Sequence, residues 1–345
     1  MKKKFALLLA LVMVLSLAAC ASSQPAAAST ETAETTETTE PAAEESAEAP
    51  AESGKTYTVG VCQLVQHEAL DAATQGFIDA LKEELGDAVT VDVQNASGDS
   101  VNCGTIVNGF VSKNVDLIMA NATPALTAAA SATADIPILG TSITAYGVAL
   151  DIADFSGTVG GNISGTSDLA DLSAQAQMIL DWFPETQKVG LLFCSAEPNS
   201  RYQIEEVAKY LADKGVETEE FAFTDTNDVA SVTQSAADYS DVVYIPTDNT
   251  AAANTEAIGN VLIPAGIPAI CGEEGICRGC GVATLSISYY DLGVTTGKMA
   301  AKILTGEANI SEMPVEFTDA TPKYNPSVCE QLGITPLEGY EAIEG

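Results

Sequence analysis

From Tyr57 onward the chain alternates short apolar runs with longer stretches whose apolar residues recur every three or four positions. Tyr57–Leu64 (YTVGVCQL) is a β-branched run suited to a buried parallel strand, and His67–Leu85 follows with Leu70, Phe77, Leu81 and Leu85 on one helical face. The unit repeats as strand Val89–Gln94 and helix Val101–Lys113, then as strand Val115–Ala120 and helix Pro124–Thr133 with Thr123 as its cap. Ile136–Leu139 closes this half as a further strand. The second half predicts helix Leu169–Phe183, strand Lys188–Phe193, helix Arg201–Lys214, strands Glu217–Phe223 and Val242–Ile245, helix Thr250–Leu262 and strands Pro268–Ile270 and Val282–Ser286. Helix Tyr290–Leu304, a short strand Val315–Phe317 and helix Ser327–Leu332 complete it. Strands alternating with helices imply right-handed crossovers, so the expected fold is α/β, with two doubly wound parallel-sheet lobes.

Between the halves lies Tyr146–Asp168 (YGVALDIADFSGTVGGNISGTSD), poor in helix signals and rich in Gly and Ser. It is expected to be the first crossover between the lobes, with the ligand site beside it. Gly157, Gly160, Gly161 and Gly165 permit backbone conformations that other residues avoid. Asn162, Ser164, Thr166, Ser167 and Asp168 add small polar groups.

In open parallel sheets ligands bind beyond the carboxyl ends of the strands, where helix N-termini point free N–H groups. In the first half those ends carry Gln63 and Gln66, Asn121 and Thr123, and Thr141 and Ser142. In the second they carry Ser195, Asn199 and Ser200, then Asp248, Asn249 and Thr250, then Glu273 and Glu274. Such residues also cap helices, so the signal lies in two sheets supplying the same kind of rim.

Composition adds the setting. Lys2, Lys3 and Lys4 precede an apolar run, Phe5–Leu17, that ends in Leu17-Ala18-Ala19-Cys20, an export-signal pattern whose apolar part is too short to span a membrane. It resembles a bacterial lipoprotein signal, which implies that residues 1–20 are processed and that Cys20 is lipidated, anchoring the chain to a membrane. Residues 21–54 hold eight Glu with Ala, Thr, Ser and Pro and no basic residue, the composition of a disordered tether. Lys55–Gly345 carries 40 acidic against 11 basic side chains, a formal charge of −29, which argues against nucleic acid as a partner.

No phosphate loop or Gly-x-Gly-x-x-Gly follows any strand, and no cofactor is expected. His67 is the sole histidine and no Gly-x-Ser-x-Gly elbow accompanies it, so it reads as a capping or rim residue and the chain as a non-enzyme. Beyond Cys20 seven cysteines remain, an odd number. Cys62 and Cys194 read as small buried residues. Cys271, Cys277 and Cys280 read as a disulfide or free thiols before they read as a metal site.

Gly60-Val61-Cys62-Gln63, His67-Glu68-Ala69-Leu70-Asp71, Gln75-Gly76-Phe77 and Asn121-Ala122-Thr123-Pro124-Ala125 occur in that order, followed by Gly165-Thr166-Ser167-Asp168, Pro198-Asn199-Ser200, Thr247-Asp248-Asn249, Gly272-Glu273-Glu274-Gly275 and Tyr289-Tyr290-Asp291-Leu292-Gly293. With these motifs the chain resembles, over about Tyr57–Leu332, the substrate-binding lipoproteins of ABC importers in the family linked to tryptophan and tyrosine uptake. The resemblance implies a type I periplasmic-binding-protein fold with three crossovers, the later two near Leu285–Ser288 and Val315–Phe317. The lobes would then comprise residues 55–147 with 288–313, and 148–287 with 314–345. It also implies an ABC permease and its ATPase as partners, a sensory receptor being the alternative. One departure is Ala145-Tyr146, where this family often has Asp-Pro after the Thr141-Ser142 strand end, and it leaves the ligand open.

An amino acid zwitterion suits the rim. The only arginines are Arg201 and Arg278, so its carboxylate would meet helix N-terminal amides and the hydroxyls of Thr123, Thr141, Ser142 and Ser200. Asp248 or Glu273 would accept from its ammonium, and Tyr146 would flank an apolar or aromatic side chain. A polyhydroxylated or heterocyclic ligand could use the same groups. The expected ligand set is Gln63, Thr123, Thr141, Ser142, Tyr146, Ser164, Asn199, Ser200, Asp248, Asn249 and Glu273.

Overall fold

A computed structural model of the chain describes residues 55–344. The expected signal, the lipidated Cys20 and the acidic tether lie outside the described residues. The first lobe runs β1 (Tyr57–Gln63), α1 (Glu68–Leu85), β2 (Val89–Asn95), α2 (Ser100–Lys113), β3 (Leu117–Asn121), α3 (Thr123–Ala132), β4 (Ile138–Ile143), α4 (Tyr146–Ala149) and β5 (Ile163–Ser167). The chain then enters the second lobe through α5 (Leu172–Trp182), β6 (Lys188–Cys194), α6 (Pro198–Asp213), β7 (Glu217–Phe223), α7 (Val229–Tyr239), β8 (Val242–Ile245), α8 (Asn249–Ala252), α9 (Thr255–Ala265), β9 (Ala269–Cys271), α10 (Glu274–Cys280) and β10 (Ala283–Ser286). It returns to the first lobe for α11 (Tyr289–Thr305) and β11 (Glu316–Phe317), and ends in the second with β12 (Thr321–Tyr324), α12 (Pro326–Leu332) and β13 (Glu341–Ala342).

The first sheet has the order β11-β5-β4-β3-β1-β2 and is parallel throughout. The second has the order β13-β12-β10-β9-β8-β6-β7 and is parallel except where β12 runs antiparallel to β10. Leu117, Ile118 and Met119 of β3 and Leu191, Leu192 and Phe193 of β6 are fully buried, as strands covered by helices on both faces must be. Among the described residues no helix is long and apolar enough to cross a membrane.

The chain crosses between lobes three times, but two of the expected boundaries move. The Gly-rich run is not simply a connection: its end is β5, paired with β4 in the first sheet, so the first crossing follows Ser167 and the first lobe keeps residues 148–167. Likewise β11 pairs with β5 in the first sheet, which puts the last crossing between Phe317 and Thr321. The middle crossing falls between Ser286 and Tyr289. β5 escapes a hydropathy reading because its polar side chains are buried and paired. Ser164 donates to the carbonyls of Met313 and Pro314, and the Thr166 hydroxyl meets those of Thr141 and Thr296.

Helix α11 packs along α1 through small residues. A Cβ on Gly76 would fall on the backbone oxygen of Tyr290, and one on Gly293 on that of Ala73, so only glycine allows this approach. Other differences are local. Helix α3 begins at Thr123 itself, with Ala122 at φ 88° in the capping position. The helix expected over Thr250–Leu262 breaks into α8 and α9 around Ala253-Asn254.

Candidate functional site

The carboxyl ends of both sheets face a small cavity lined by His67, Leu70, Ser142, Thr144, Asp168, Asn199, Thr247, Asp248, Asn249, Ala252, Glu273 and Tyr289. It is tight: the centre of a water molecule has about 10 Å³ to range over, room for roughly one water. Two of the crossovers meet at its wall, where the Tyr289 hydroxyl donates to Asp168 Oδ2 at 3.0 Å. The lobes also touch across it. His67 Nε2 lies 3.3 Å from Asn249 Oδ1, and on the rim Arg278 joins Glu68 of α1 to Glu274 of α10.

Three polar atoms on this wall are buried and find no partner within the protein: Ser142 Oγ, Asp168 Oδ1 and Asn199 Oδ1. Ser142 gets there by backbone strain. Between Gly140 and Ile143, β4 holds one residue more than its partner β5, and Ser142 takes φ 55°, unusual for any residue but glycine. Asp168 extends β5 by one residue; burial pushes its carboxyl up to about 6, against the pull of the Tyr289 and Thr144 hydroxyls and its own backbone N–H. Asn199 lies in the first turn of α6, where its Nδ2 faces only acceptors: Glu197 Oε2 and the Thr247 carbonyl at 3.2 Å each, and Ser200 Oγ at 3.3 Å. Its oxygen therefore turns to the cavity.

The two carboxylates expected to meet an ammonium are engaged elsewhere. Asp248 Oδ1 accepts from Ala251 N at 2.8 Å and Oδ2 from Cys194 N at 2.6 Å, capping α8 and fastening it to β6. Glu273 accepts from Gly275 N at 2.7 Å and Ile276 N at 2.5 Å, capping α10. Both line the cavity, and burial raises both carboxyls, Glu273 to about 7; Glu197 adds to the rise at Asp248. With their oxygens held by backbone N–H groups, they build the wall more than they offer it to a ligand.

Of the eleven residues expected from sequence, the cavity brings together Ser142, Asn199, Asp248, Asn249 and Glu273. The others stand outside its lining. Gln63 ties β1 to α1 through Asp71 Oδ1 at 2.6 Å and the Thr74 hydroxyl at 2.6 Å. Thr141 is bound to Thr166 and Thr296, and Ser164 to the segment before β11. Thr123 is buried at the start of α3, and Ser200 lies behind Asn199 with its hydroxyl against Asp248. Tyr146 is buried over Gly140 and Gly165, donates to the Thr166 carbonyl at 3.1 Å and stacks on Phe155, outside the lining of this cavity. Sequence reasoning missed Asp168, Thr144, Thr247 and Tyr289 as lining residues. The signal for Asp168 was its place one residue beyond a strand, which was hidden because β5 was read as loop.

His67 occupies the N-cap position of α1 and burial lowers its pKa, so the ring is neutral. Asn249 Oδ1 can only accept, which makes Nε2 the protonated nitrogen. The seven described cysteines are buried free thiols, and among the described residues no group of three or more His, Cys, Asp or Glu is arranged to hold a metal.

A model of the ABC transporter substrate binding protein family matches residues 58–340. The tyrosine-binding protein of Clostridioides difficile (strain R20291) is 33% identical over 273 residues, 78% of this chain and 79% of that one. Among solved structures, an ABC domain in complex with L-Trp from Streptococcus pneumonia superposes with a TM-score of 0.79 at 31% identity, over 84% of this chain and 100% of that one. The ligand-free, open structure of a substrate binding protein with adhesive properties from Clostridium difficile gives 0.64 at 32% identity, over 84% and 99%. The contacts across the cavity, His67 with Asn249 and Arg278 with Glu68, hold the two lobes together, so in this structure they stand closed. The fold, the closed inter-lobe cavity and the match over most of its length together mean that the chain belongs to the ABC transporter substrate binding protein family.

Proposed function

We propose that the protein captures a free L-amino acid with an aromatic side chain between its lobes, outside the cytoplasm, and presents it to an ABC permease and its ATPase. The observation that carries this reading is the convergence of three unpartnered polar atoms on one cavity. Two of them, Asp168 Oδ1 and Asn199 Oδ1, are acceptors for an ammonium, and the Ser142 hydroxyl is a donor for a carboxylate. No Lys or Arg lines the cavity. The relatives support the ligand class, since one is named for tyrosine and another was solved with L-Trp.

The cavity is too tight for an aromatic side chain as it stands, so uptake widens it, by displacement of side chains such as Leu70 or by a partial return toward the open form. The proposed function includes a lipid on Cys20 as the membrane anchor. A thermal-shift screen of the purified protein against the amino acids, nucleosides and sugars tests it. L-tyrosine or L-tryptophan should raise the unfolding midpoint most, because a ligand that binds only the folded state stabilises it. A rise with a sugar or nucleoside and none with any amino acid would overturn it.

A further inference from the structure

Glu197, the residue before α6, does not line the cavity, yet it organises the wall that does. Its side chain is buried and accepts from five donors. Oε2 takes Asn249 N at 3.0 Å, Asn249 Nδ2 at 2.7 Å and Asn199 Nδ2 at 3.2 Å, and Oε1 takes Thr250 N at 2.9 Å and Thr250 Oγ1 at 2.8 Å. A side-chain amide can be turned end for end at little steric cost, and what faces its nitrogen decides which end points where. Here both asparagines turn their N–H groups back to one carboxylate, Asn199 with the Thr247 carbonyl as a further acceptor, and their oxygens forward. Asn199 Oδ1 faces the cavity, and Asn249 Oδ1 meets His67 Nε2 of the other lobe.

We infer that Glu197 is a positioning residue for ligand specificity: without touching the ligand, it fixes the hydrogen-bond polarity of the second-lobe wall so that the closed cleft presents oxygens to a donor-bearing ligand. The inference rests on the amino-acid reading above. It explains why a carboxyl group with five donors is buried behind the wall of a cavity it does not line. A carboxylate only accepts, so it cannot let either asparagine reverse without setting oxygen against oxygen. A neutral amide in its place has one accepting end, and cannot satisfy the Thr250 pair and the asparagine pair together.

The test compares L-tryptophan with indole-3-propionate, the same molecule without its ammonium, by calorimetric titration of the wild type, Glu197→Gln, and the double variant Glu197→Gln with Asn199→Asp. The wild type should prefer L-tryptophan by about 100-fold or more. Glu197→Gln should reduce that preference about tenfold or more, whatever happens to the absolute affinities. The double variant should recover part of it: an aspartate at 199 offers oxygen to the cavity in either orientation and can accept from the new amide, but its inner oxygen then faces the Thr247 carbonyl that Asn199 Nδ2 now bonds at 3.2 Å. A loss of folding lowers both affinities together and leaves their ratio unmoved. If Glu197→Gln alone does not fold, the double variant decides: a ratio approaching the wild type's supports the inference and a collapsed one overturns it. An unchanged ratio in a folded Glu197→Gln overturns the inference while leaving the amino-acid reading intact. A wild type that binds both compounds equally, or neither, overturns that reading and this inference with it.

Discussion

At the scale of single residues the cavity wall holds carboxylates in two different surroundings. Asp248 and Glu273 spend their oxygens on backbone N–H groups, whereas Asp168 keeps Oδ1 free of protein partners. Asp168→Asn should therefore weaken amino-acid binding by about 2 kcal/mol, with the unfolding midpoint unchanged or raised. Asp248→Asn should instead lower stability by about 1 kcal/mol and change affinity only several-fold; paired titrations and melts check both. The pH dependence follows from the same carboxyl. In the unliganded fold it titrates at about 6, above its ordinary 3.8, and an ammonium favours the ionised form. Through this group affinity should rise as pH passes about 6, and Asp168→Asn should remove that rise while leaving the effects of Glu273 and Asp248 higher up. The sign for stability is opposite. The folded state holds the proton more tightly than the unfolded chain, so this group's contribution is full below about pH 4 and falls as pH rises to 6. Sequence could name the polar residues at strand ends, but it could not tell Asp248 from Asp168, because the difference lies in which backbone N–H groups each one meets.

At the scale of elements, apolar strands and amphipathic helices were legible and polar ones were not. β1, β3, β6 and β8 stand out as apolar runs, and α1 as an apolar face. β5 (ISGTS) carries one large apolar residue, and its Ser and Thr are buried only because α11 and the segment before β11 supply partners from far along the chain. Helix α7 went unread for a similar reason: its buried face is Val229, Thr233, Ala236 and Ala237, mostly small. Helix α10 is short and contains two internal glycines. The packing of α11 on α1 gives a direct test. Gly76→Ala pushes a methyl group into the Tyr290 backbone and should cost about 1–3 kcal/mol by overpacking, seen as a lower denaturant midpoint. A midpoint at or above that of the wild type would contradict the close approach of these helices.

At the scale of the whole molecule, the chain passes between its two sheets three times, and on the proposed function a ligand closes the lobes about those crossings. Closing without a ligand leaves Ser142 Oγ, Asp168 Oδ1 and Asn199 Oδ1 to share room for roughly one water, at a cost of about 1–3 kcal/mol for each atom left unpaired. Against that stand exposed ion pairs such as Arg278 with Glu68, worth about 1 kcal/mol or less. The unliganded protein should therefore favour open lobes in solution, and a bound amino acid should shift it to the closed form by pairing those atoms. Small-angle scattering should show a smaller radius of gyration when L-tyrosine or L-tryptophan saturates the protein; an unchanged radius at saturation would count against this coupling. The two-lobed plan was legible in the repeated strand and helix pattern. The crossing points were less so, because β5 and β11 join the first sheet through pairings that no local pattern announces.

On the proposed function, the acceptors of this closed cavity hold an amino acid by its ammonium. A crystal structure of the protein grown with L-tryptophan or L-tyrosine tests it most directly. The account predicts the amino acid between the two sheets, its nitrogen within hydrogen-bond distance of Asp168 Oδ1 and Asn199 Oδ1 and its carboxylate toward Ser142. An amino acid bound elsewhere on the chain, or one whose carboxylate faces Asp168, would contradict it.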